Sequence, residues 1–95
     1  MNHCILVKWN ESVTDKAAML KEIAPVFAPS AEIAGVEGVR IIPNCIDRSN
    51  RYDCMIVIRM EKDALPAWDA SETHRTWKER YGERIEKKAI FDWEE

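Results

Sequence analysis

The sequence predicts a single α+β domain in which four strands and two helical regions follow the order βαββαβ. Four segments are rich in β-branched and aromatic residues, and the segments between them carry apolar residues at helical spacing. No repeat, flexible linker or low-complexity stretch divides the chain. Ninety-five residues suffice for one hydrophobic core and not for two, so residues 1–95 are assigned to one domain.

The first half of the chain predicts one helix between two strands. His3–Trp9 is mostly apolar and contains strong β-formers, so it is predicted to be the first strand. Thr14 is the expected N-cap of the following helix. Pro25 lies late in that helix and is expected to kink it or end its regular part, because proline lacks a backbone donor. Val36–Pro43 is the predicted second strand.

The second half predicts a strand, a split helical region and a final strand. Tyr52–Met60 is the third strand, and Asp63 is expected to cap a short helix that reaches Ala70. Ser71 begins another helix, which Gly82 is expected to end, and Lys87–Trp93 is the fourth strand. This order is that of the ferredoxin-like fold, an antiparallel four-stranded sheet with helices on one face.

Both faces of the predicted sheet are apolar. Alternation along the first strand places His3, Ile5 and Val7 on one face and Cys4 and Leu6 on the other. An antiparallel sheet with one solvated face should instead alternate apolar and polar residues. Because the helices of one chain cover only one face, the other is predicted to meet a second copy in a two-fold homodimer.

Composition excludes several classes of partner. The formal net charge of -3 argues against nucleic acid, because binding to phosphates requires a basic face. No apolar run approaches the length of a membrane span, and no secretion signal is visible, so we expect a cytoplasmic protein without membrane contact. The three cysteines form no CxxC pair, and the two histidines lie 71 positions apart (74 minus 3). No metal and no cofactor are therefore predicted.

Four segments together resemble the stress-responsive dimeric α/β-barrel family, often called Dabb. They are HCILVKW at the start, IAGV at residues 33–36, YDCMIVIRMEKDALPAWDASETH at residues 52–74 and KKAIFDW at the end. The resemblance covers nearly the whole chain. It implies two four-stranded sheets packed into a dimeric α/β barrel with the helices outside, and a small apolar ligand pocket in each subunit.

His74 is the candidate catalytic residue. It lies in the opening turn of a predicted helix, where the helix dipole favours the neutral imidazole that can accept a proton. In the plant polyketide cyclases of the family, the matching histidine is the general base of a His-Pro-x-His motif. That motif reads Ser71-Glu72-Thr73-His74 here, without the first histidine and the proline. The alternative is a structural role for His74 at the helix start.

The resemblance also implies a set of ligand-pocket residues. Trp68 replaces a cyclase tyrosine and keeps an N–H donor without an acidic hydroxyl, and Cys54 replaces a pocket histidine. Asp92 matches an acidic position in the last strand of the family. It could pair with a pocket histidine, with Lys8 or with Arg40. The full predicted set is His3, Ile5, Val7, Cys54, Ile56, Trp68, Trp77 and Asp92.

Several functions stay open at this point. The first is a Dabb-type homodimer that binds a small aromatic or polyketide-like ligand. The second is a cofactor-independent cyclase or lyase that uses His74 as its base, and the third is a cofactor-free monooxygenase. The fourth is an interaction module without a pocket, which would be favoured if Trp68 and Trp77 fill the space between sheet and helices. Main-chain carbonyls of residues Ser30–Val36 could also bind a magnesium-like cation.

Overall fold

A computed structural model describes all residues from 1 to 95 and confirms the βαββαβ order with its split second helical region. The chain contains no helix long and apolar enough to cross a membrane. Short 3-10 segments follow α1, precede α2 and precede β4. The main elements are β1 (Asn2–Trp9), α1 (Lys16–Phe27), β2 (Val36–Pro43), β3 (Cys54–Met60), α2 (Leu65–Asp69), α3 (Glu72–Tyr81) and β4 (Ile85–Trp93).

The four strands form one antiparallel sheet in the order β2-β3-β1-β4, which is the ferredoxin-like topology. In β1, Ile5 lies opposite Ile56 of β3 and Ile90 of β4, so these three side chains share one face. Cys4 lies opposite Val57 and Phe91 on the other face. The predicted alternation along β1 and β3 is therefore confirmed.

The helices cover only the face that carries Ile5. Strand residues of that face and helix residues such as Phe27 and Tyr81 form one buried core. Cys4 and Val57 are buried in the sheet but lie outside this core. We use the term outer sheet face for the opposite side, which carries Cys4, Leu6, Ile42, Met55, Val57 and Phe91.

The ends of α1 differ from the prediction. Asp15, and not Thr14, is the N-cap, because its Oδ1 accepts a hydrogen bond from the backbone N–H of Ala18 at 3.0 Å. The helix also continues through Pro25 to Phe27. Pro25 is exposed, so water can bond the backbone carbonyl that proline leaves without a donor.

The second helical region begins and ends largely as predicted. Ser71 is the N-cap of α3, whereas Asp63 lies inside the 3-10 segment Lys62–Ala64 and caps nothing. Gly82 is the C-cap of α3 with an ordinary right-handed backbone (φ -53°). It therefore ends the helix without the left-handed conformation for which glycine is usually required.

Candidate functional site

Trp68 contacts both histidines of the chain. Its ring centroid lies 5.2 Å from that of His3 and 4.7 Å from that of His74. His3 comes from β1, Trp68 from α2 and His74 from α3, so the fold joins residues from opposite ends of the sequence. We call these three residues the His–Trp–His cluster.

His3 is buried, and its Nδ1 lies 2.5 Å from Oδ1 of Asp92. The two residues face each other directly across the β1–β4 ladder. A carboxylate accepts hydrogen bonds, so Nδ1 carries the proton and Nε2 has the lone pair of the neutral ring. Among the partners predicted for Asp92, the structure therefore selects the pocket histidine, and not Lys8 or Arg40.

His74 is held in place from two sides. Its backbone N–H donates to the Ser71 hydroxyl at 3.3 Å, and its Nδ1 lies 2.8 Å from the backbone carbonyl of Asp69. Because a carbonyl only accepts, Nδ1 carries a proton and the lone pair of the neutral ring belongs to Nε2. The side chain is half-buried. An oriented imidazole with a free lone pair near the surface meets the chemical requirement for a general base.

The indole of Trp68 has a partner that the sequence analysis missed. Its Nε1–H donates to the hydroxyl of Ser30 at 3.0 Å, and both side chains are fully buried. The donor that could have bound a substrate oxyanion is therefore already in use. No motif marks Ser30, because a hydroxyl residue after a helix end is common in irregular segments.

Aromatic side chains fill the space between sheet and helices. Trp77 packs against Trp9, Phe27 and Tyr81, with ring centroids 6.0, 5.0 and 5.5 Å apart. Trp68 and Trp77 are each 1% exposed. Four further residues of the predicted ligand pocket are also buried in this core: Ile5, Val7, Cys54 and Ile56.

The cysteines are free thiols in different environments. Burial, with a smaller contribution from the charge of Asp53, raises the pKa of Cys54 to about 12. Burial and the charge of Asp92 also raise the pKa of Cys4. Both thiols are therefore neutral at physiological pH and poor nucleophiles. Cys45 is exposed.

Three surface depressions lie away from the His–Trp–His cluster. One of about 700 Å³ separates α1 from α3 and is lined mainly by polar and charged residues. A second of about 430 Å³ lies on the outer sheet face beside Ile42, Met55 and Trp93. The third, of about 480 Å³, lies between α1 and the connection from β2 to β3. None of the three is lined by His3, Trp68 or His74.

The chain contains no group of three or more His, Cys, Asp and Glu side chains that could hold a metal ion. In the segment Ser30–Val36, three backbone carbonyls accept hydrogen bonds from backbone N–H groups. Those of Ser30, Ile33 and Gly35 have partners at 3.1, 2.9 and 2.7 Å. These three carbonyl oxygens therefore already act as acceptors of backbone hydrogen bonds.

Comparison with solved structures places the fold among dimeric ferredoxin-like proteins. A dimeric protein of unknown function from Bacteroides fragilis superimposes with a TM-score of 0.78 at 16% identity, covering 99% of this chain and 94% of its own. A Dabb family protein from Mesorhizobium loti superimposes with a TM-score of 0.70 at 13% identity. The match covers 99% of this chain and 94% of the other protein. A protein from Bacteroides thetaiotaomicron, described as a candidate antibiotic biosynthesis monooxygenase, superimposes with a TM-score of 0.68 at 16% identity. The match covers 100% of this chain and 88% of the other protein.

No protein-family profile matches the sequence, and no curated protein is significantly similar to it. The identities to the solved structures are low, so the likeness is one of fold. At that level, the resemblance drawn from the sequence is confirmed: the chain has the ferredoxin-like α+β fold, and a Dabb family protein is among those that share it.

Proposed function

We propose that this protein is a homodimeric interaction module of the Dabb type, assembled through its outer sheet face. The observation that carries the proposal is the apolar character of that face in a single chain. Phe91 is 63% exposed, and Leu6, Ile42 and Met55 are each only partly buried. Apolar surface of this kind is stabilised by burial against a partner.

The edge strand β4 adds support. Phe91 is exposed on the outer sheet face, whereas its neighbour Ile90 lies on the helix side and does not belong to that face. Phe91 also packs beside Trp93, with ring centroids 6.3 Å apart, which extends the apolar area along the strand. Structural neighbours from Bacteroides fragilis, Thermobifida fusca and Jannaschia are described as dimeric, which agrees with a two-fold assembly.

The packed interior favours interaction over an enclosed ligand pocket. Trp68 and Trp77 occupy the space in which the family resemblance places a ligand. A small aromatic or polyketide-like molecule would have to bind at the exposed edge of His74 or displace Trp68. A stress-responsive role and a cytoplasmic location complete the proposal, and they rest on the family resemblance and the composition.

A second candidate function is cofactor-independent proton transfer, as in a cyclase or lyase. One observation favours it: the Asp69 carbonyl orients His74 so that Nε2 can accept a proton. The alternative of a cofactor-free monooxygenase is supported by fold similarity alone.

Light scattering on matched variants of β4 tests the dimer. The wild type should show about twice the 11.0 kDa of the chain at micromolar concentration. Phe91→Lys places a charge on the outer sheet face and should shift the protein to monomer. Ile90→Lys is the matched control, because it adds the same charge one residue away on the opposite side of the sheet.

Ile90 lies on the helix side of the sheet, yet it is 49% exposed, so a lysine there should damage the core only slightly. A wild-type protein that stays monomeric at micromolar concentration would reject the dimer. Equal dissociation by both lysine variants would reject the outer sheet face as its interface.

A further inference from the structure

Gly38 is a glycine that its own chain does not require. It lies in β2 on the outer sheet face, opposite Arg59 of β3. Its φ is not positive, and a Cβ added there would meet no atom within 4 Å. The strand pairing is irregular between Val36 and Gly38, but a residue with a side chain could adopt the same backbone. A glycine inside a strand often marks a place where another backbone or a ligand approaches closely.

Gly38 also borders the depression of about 430 Å³ on the outer sheet face. We call it the Gly38 depression and define it by Gly38, Arg40, Ile42, Met55, Val57 and Trp93. The charges at one end are paired, because Arg59 lies 2.8 Å from a carboxylate oxygen of Glu37 and 3.6 Å from one of Glu95. The remaining walls are largely apolar, and the volume exceeds that of one aromatic side chain.

The outward side chains of the two edge strands differ in size, row by row. The strand register arranges the residues of the outer sheet face in rows that cross all four strands. In three successive rows, the ends on β2 and β4 are Gly38 and Trp93, Arg40 and Phe91, and Ile42 and Ala89. Where one edge carries a small residue, the other edge therefore carries a large one.

A two-fold axis parallel to the strands would bring these edges together. The middle of the sheet lies between β3 and β1, so rotation about an axis there places β2 over β4 of the partner subunit. The rotation leaves positions along the strands unchanged, so each row faces the same row. Gly38 then faces Trp93 of the partner subunit, and Ile42 faces the partner's Ala89. An axis across the strands would instead place β2 over the partner's β2, which has no aromatic residue.

Arg40 supplies an independent observation. It is exposed on the outer sheet face and has no carboxylate within ion-pair distance. The same axis places its guanidinium against Phe91 of the partner subunit, a residue that is 63% exposed in the single chain. An arginine over an aromatic ring makes a favourable cation–π contact, which strengthens when water is excluded. Arginine and aromatic residues are also enriched in protein interfaces.

We propose that Trp93 of each subunit fills the Gly38 depression of the other, in a dimer whose two-fold axis runs parallel to the strands. This arrangement rests on the proposed outer-face dimer and adds the residues that select its partner. The depression of one chain is incomplete without the ring of a second copy. Because the depression is larger than one ring, an alanine at position 38 leaves room for it, whereas a tryptophan does not.

An exchange of side-chain size between positions 38 and 93 tests this arrangement. Gly38→Trp should collide with Trp93 of the partner subunit, and Trp93→Ala should leave the depression empty. Each homodimer carries the defect twice and should dissociate at least about tenfold more readily than the wild type. An equimolar mixture of the two variants should form a heterodimer of nearly wild-type affinity, because both contacts then join a large residue to a small one.

Analytical ultracentrifugation measures these affinities, and an affinity tag on one variant identifies the heterodimer. Gly82→Trp is the matched control, because a Cβ there also meets no atom within 4 Å, and it should dimerise as the wild type does. A dimeric wild type without recovery in the mixture would overturn the pairing of Gly38 with Trp93 and leave the outer-face dimer in place. A monomeric wild type would overturn both.

A double-mutant cycle in the neighbouring row tests the same arrangement without a large side chain in β2. Arg40→Gln and Phe91→Leu should each weaken the dimer, and the double variant should be weakened by less than the product of the two factors. Arg48→Gln, at an exposed position between β2 and β3, is the control and should leave the affinity unchanged. Factors that simply multiply would overturn the arrangement, because Arg40 and Phe91 would then not meet.

Discussion

The indole of Trp68 donates its N–H to the hydroxyl of Ser30, 38 residues away in the sequence, and neither group contacts water. This bond ties α2 to the 3-10 segment Ala28–Glu32 that follows α1. The same indole packs against both histidines. Ser30 therefore holds Trp68 in the orientation on which the His–Trp–His cluster depends.

Loss of the Ser30 hydroxyl should destabilise the protein. Ser30→Ala leaves the Trp68 N–H buried without a partner, which costs about 1–3 kcal/mol. Urea unfolding followed by circular dichroism should show a lower midpoint concentration for Ser30→Ala than for the wild type. Ser12→Ala, at an exposed position, is the control and should change stability by less than about 0.5 kcal/mol. Equal midpoints for the two variants would show that the buried hydrogen bond contributes nothing measurable.

Gly35 should not tolerate a side chain. Its φ is +90°, and a Cβ added there would lie 2.9 Å from the Cβ of Ala64. Gly35→Ala should therefore cost at least about 1–2 kcal/mol, from backbone strain together with the clash. Gly38→Ala is the matched control, because a Cβ on Gly38 meets no atom within 4 Å. Thermal unfolding should separate the two variants, and identical melting temperatures would contradict the backbone conformation at Gly35.

Alkaline pH should destabilise the protein through Cys54. Its pKa rises from 9.0 to about 12 on folding, so the folded state holds the thiol proton more tightly than the unfolded state. The resulting stabilisation is fully present below pH 9 and is lost as the pH rises towards 12. The loss should approach about 1.4 kcal/mol per pH unit within that window.

Urea unfolding of the wild type and Cys54→Ala at pH 8 and above checks this slope. The variant should be less stable overall and should lose less stability as the pH rises, because the other titrating groups are common to both proteins. Cys45→Ala serves as the control, since Cys45 is exposed. Parallel pH profiles for wild type and Cys54→Ala would contradict the assignment.

His74 should matter for chemistry more than for stability. If the protein transfers a proton, His74→Ala should slow the reaction by roughly 100-fold or more, the usual scale of general acid–base catalysis. The same change should alter the free energy of unfolding by less than about 1 kcal/mol, because the imidazole is only half-buried. Unchanged activity or ligand affinity with a large loss of stability would instead make His74 structural.

The strands were predictable from sequence because their alternation depends only on which residues face the core. The N-cap of α1 was missed by one residue, since Thr14 and Asp15 both favour that role and only the carboxylate of Asp15 reaches the Ala18 N–H. The continuation of α1 through Pro25 depends on exposure, which a sequence does not show. The pairing of Asp92 with His3 follows from the register between β1 and β4, which a sequence does not show either.

The candidate site was harder to predict than the fold. The family resemblance predicted a ligand pocket that includes His3, Trp68 and His74. The structure places these three rings side by side, and their role in binding stays a prediction. Whether Trp68 and Trp77 leave a cavity is decided by volumes and ring orientations contributed by distant segments. The Ser30–Trp68 bond has no local signature at all.

The position of β4 at the edge of the sheet makes a separated chain prone to association with other chains. The strand has no neighbour on one side and carries exposed Ile90 and Phe91, so a separated chain offers both free backbone groups and apolar side chains to other chains. Only the charges of Glu86, Lys87, Lys88 and Asp92 interrupt the apolar residues of this strand. A proposed dimer that covers Phe91 would also protect the chain from disordered association.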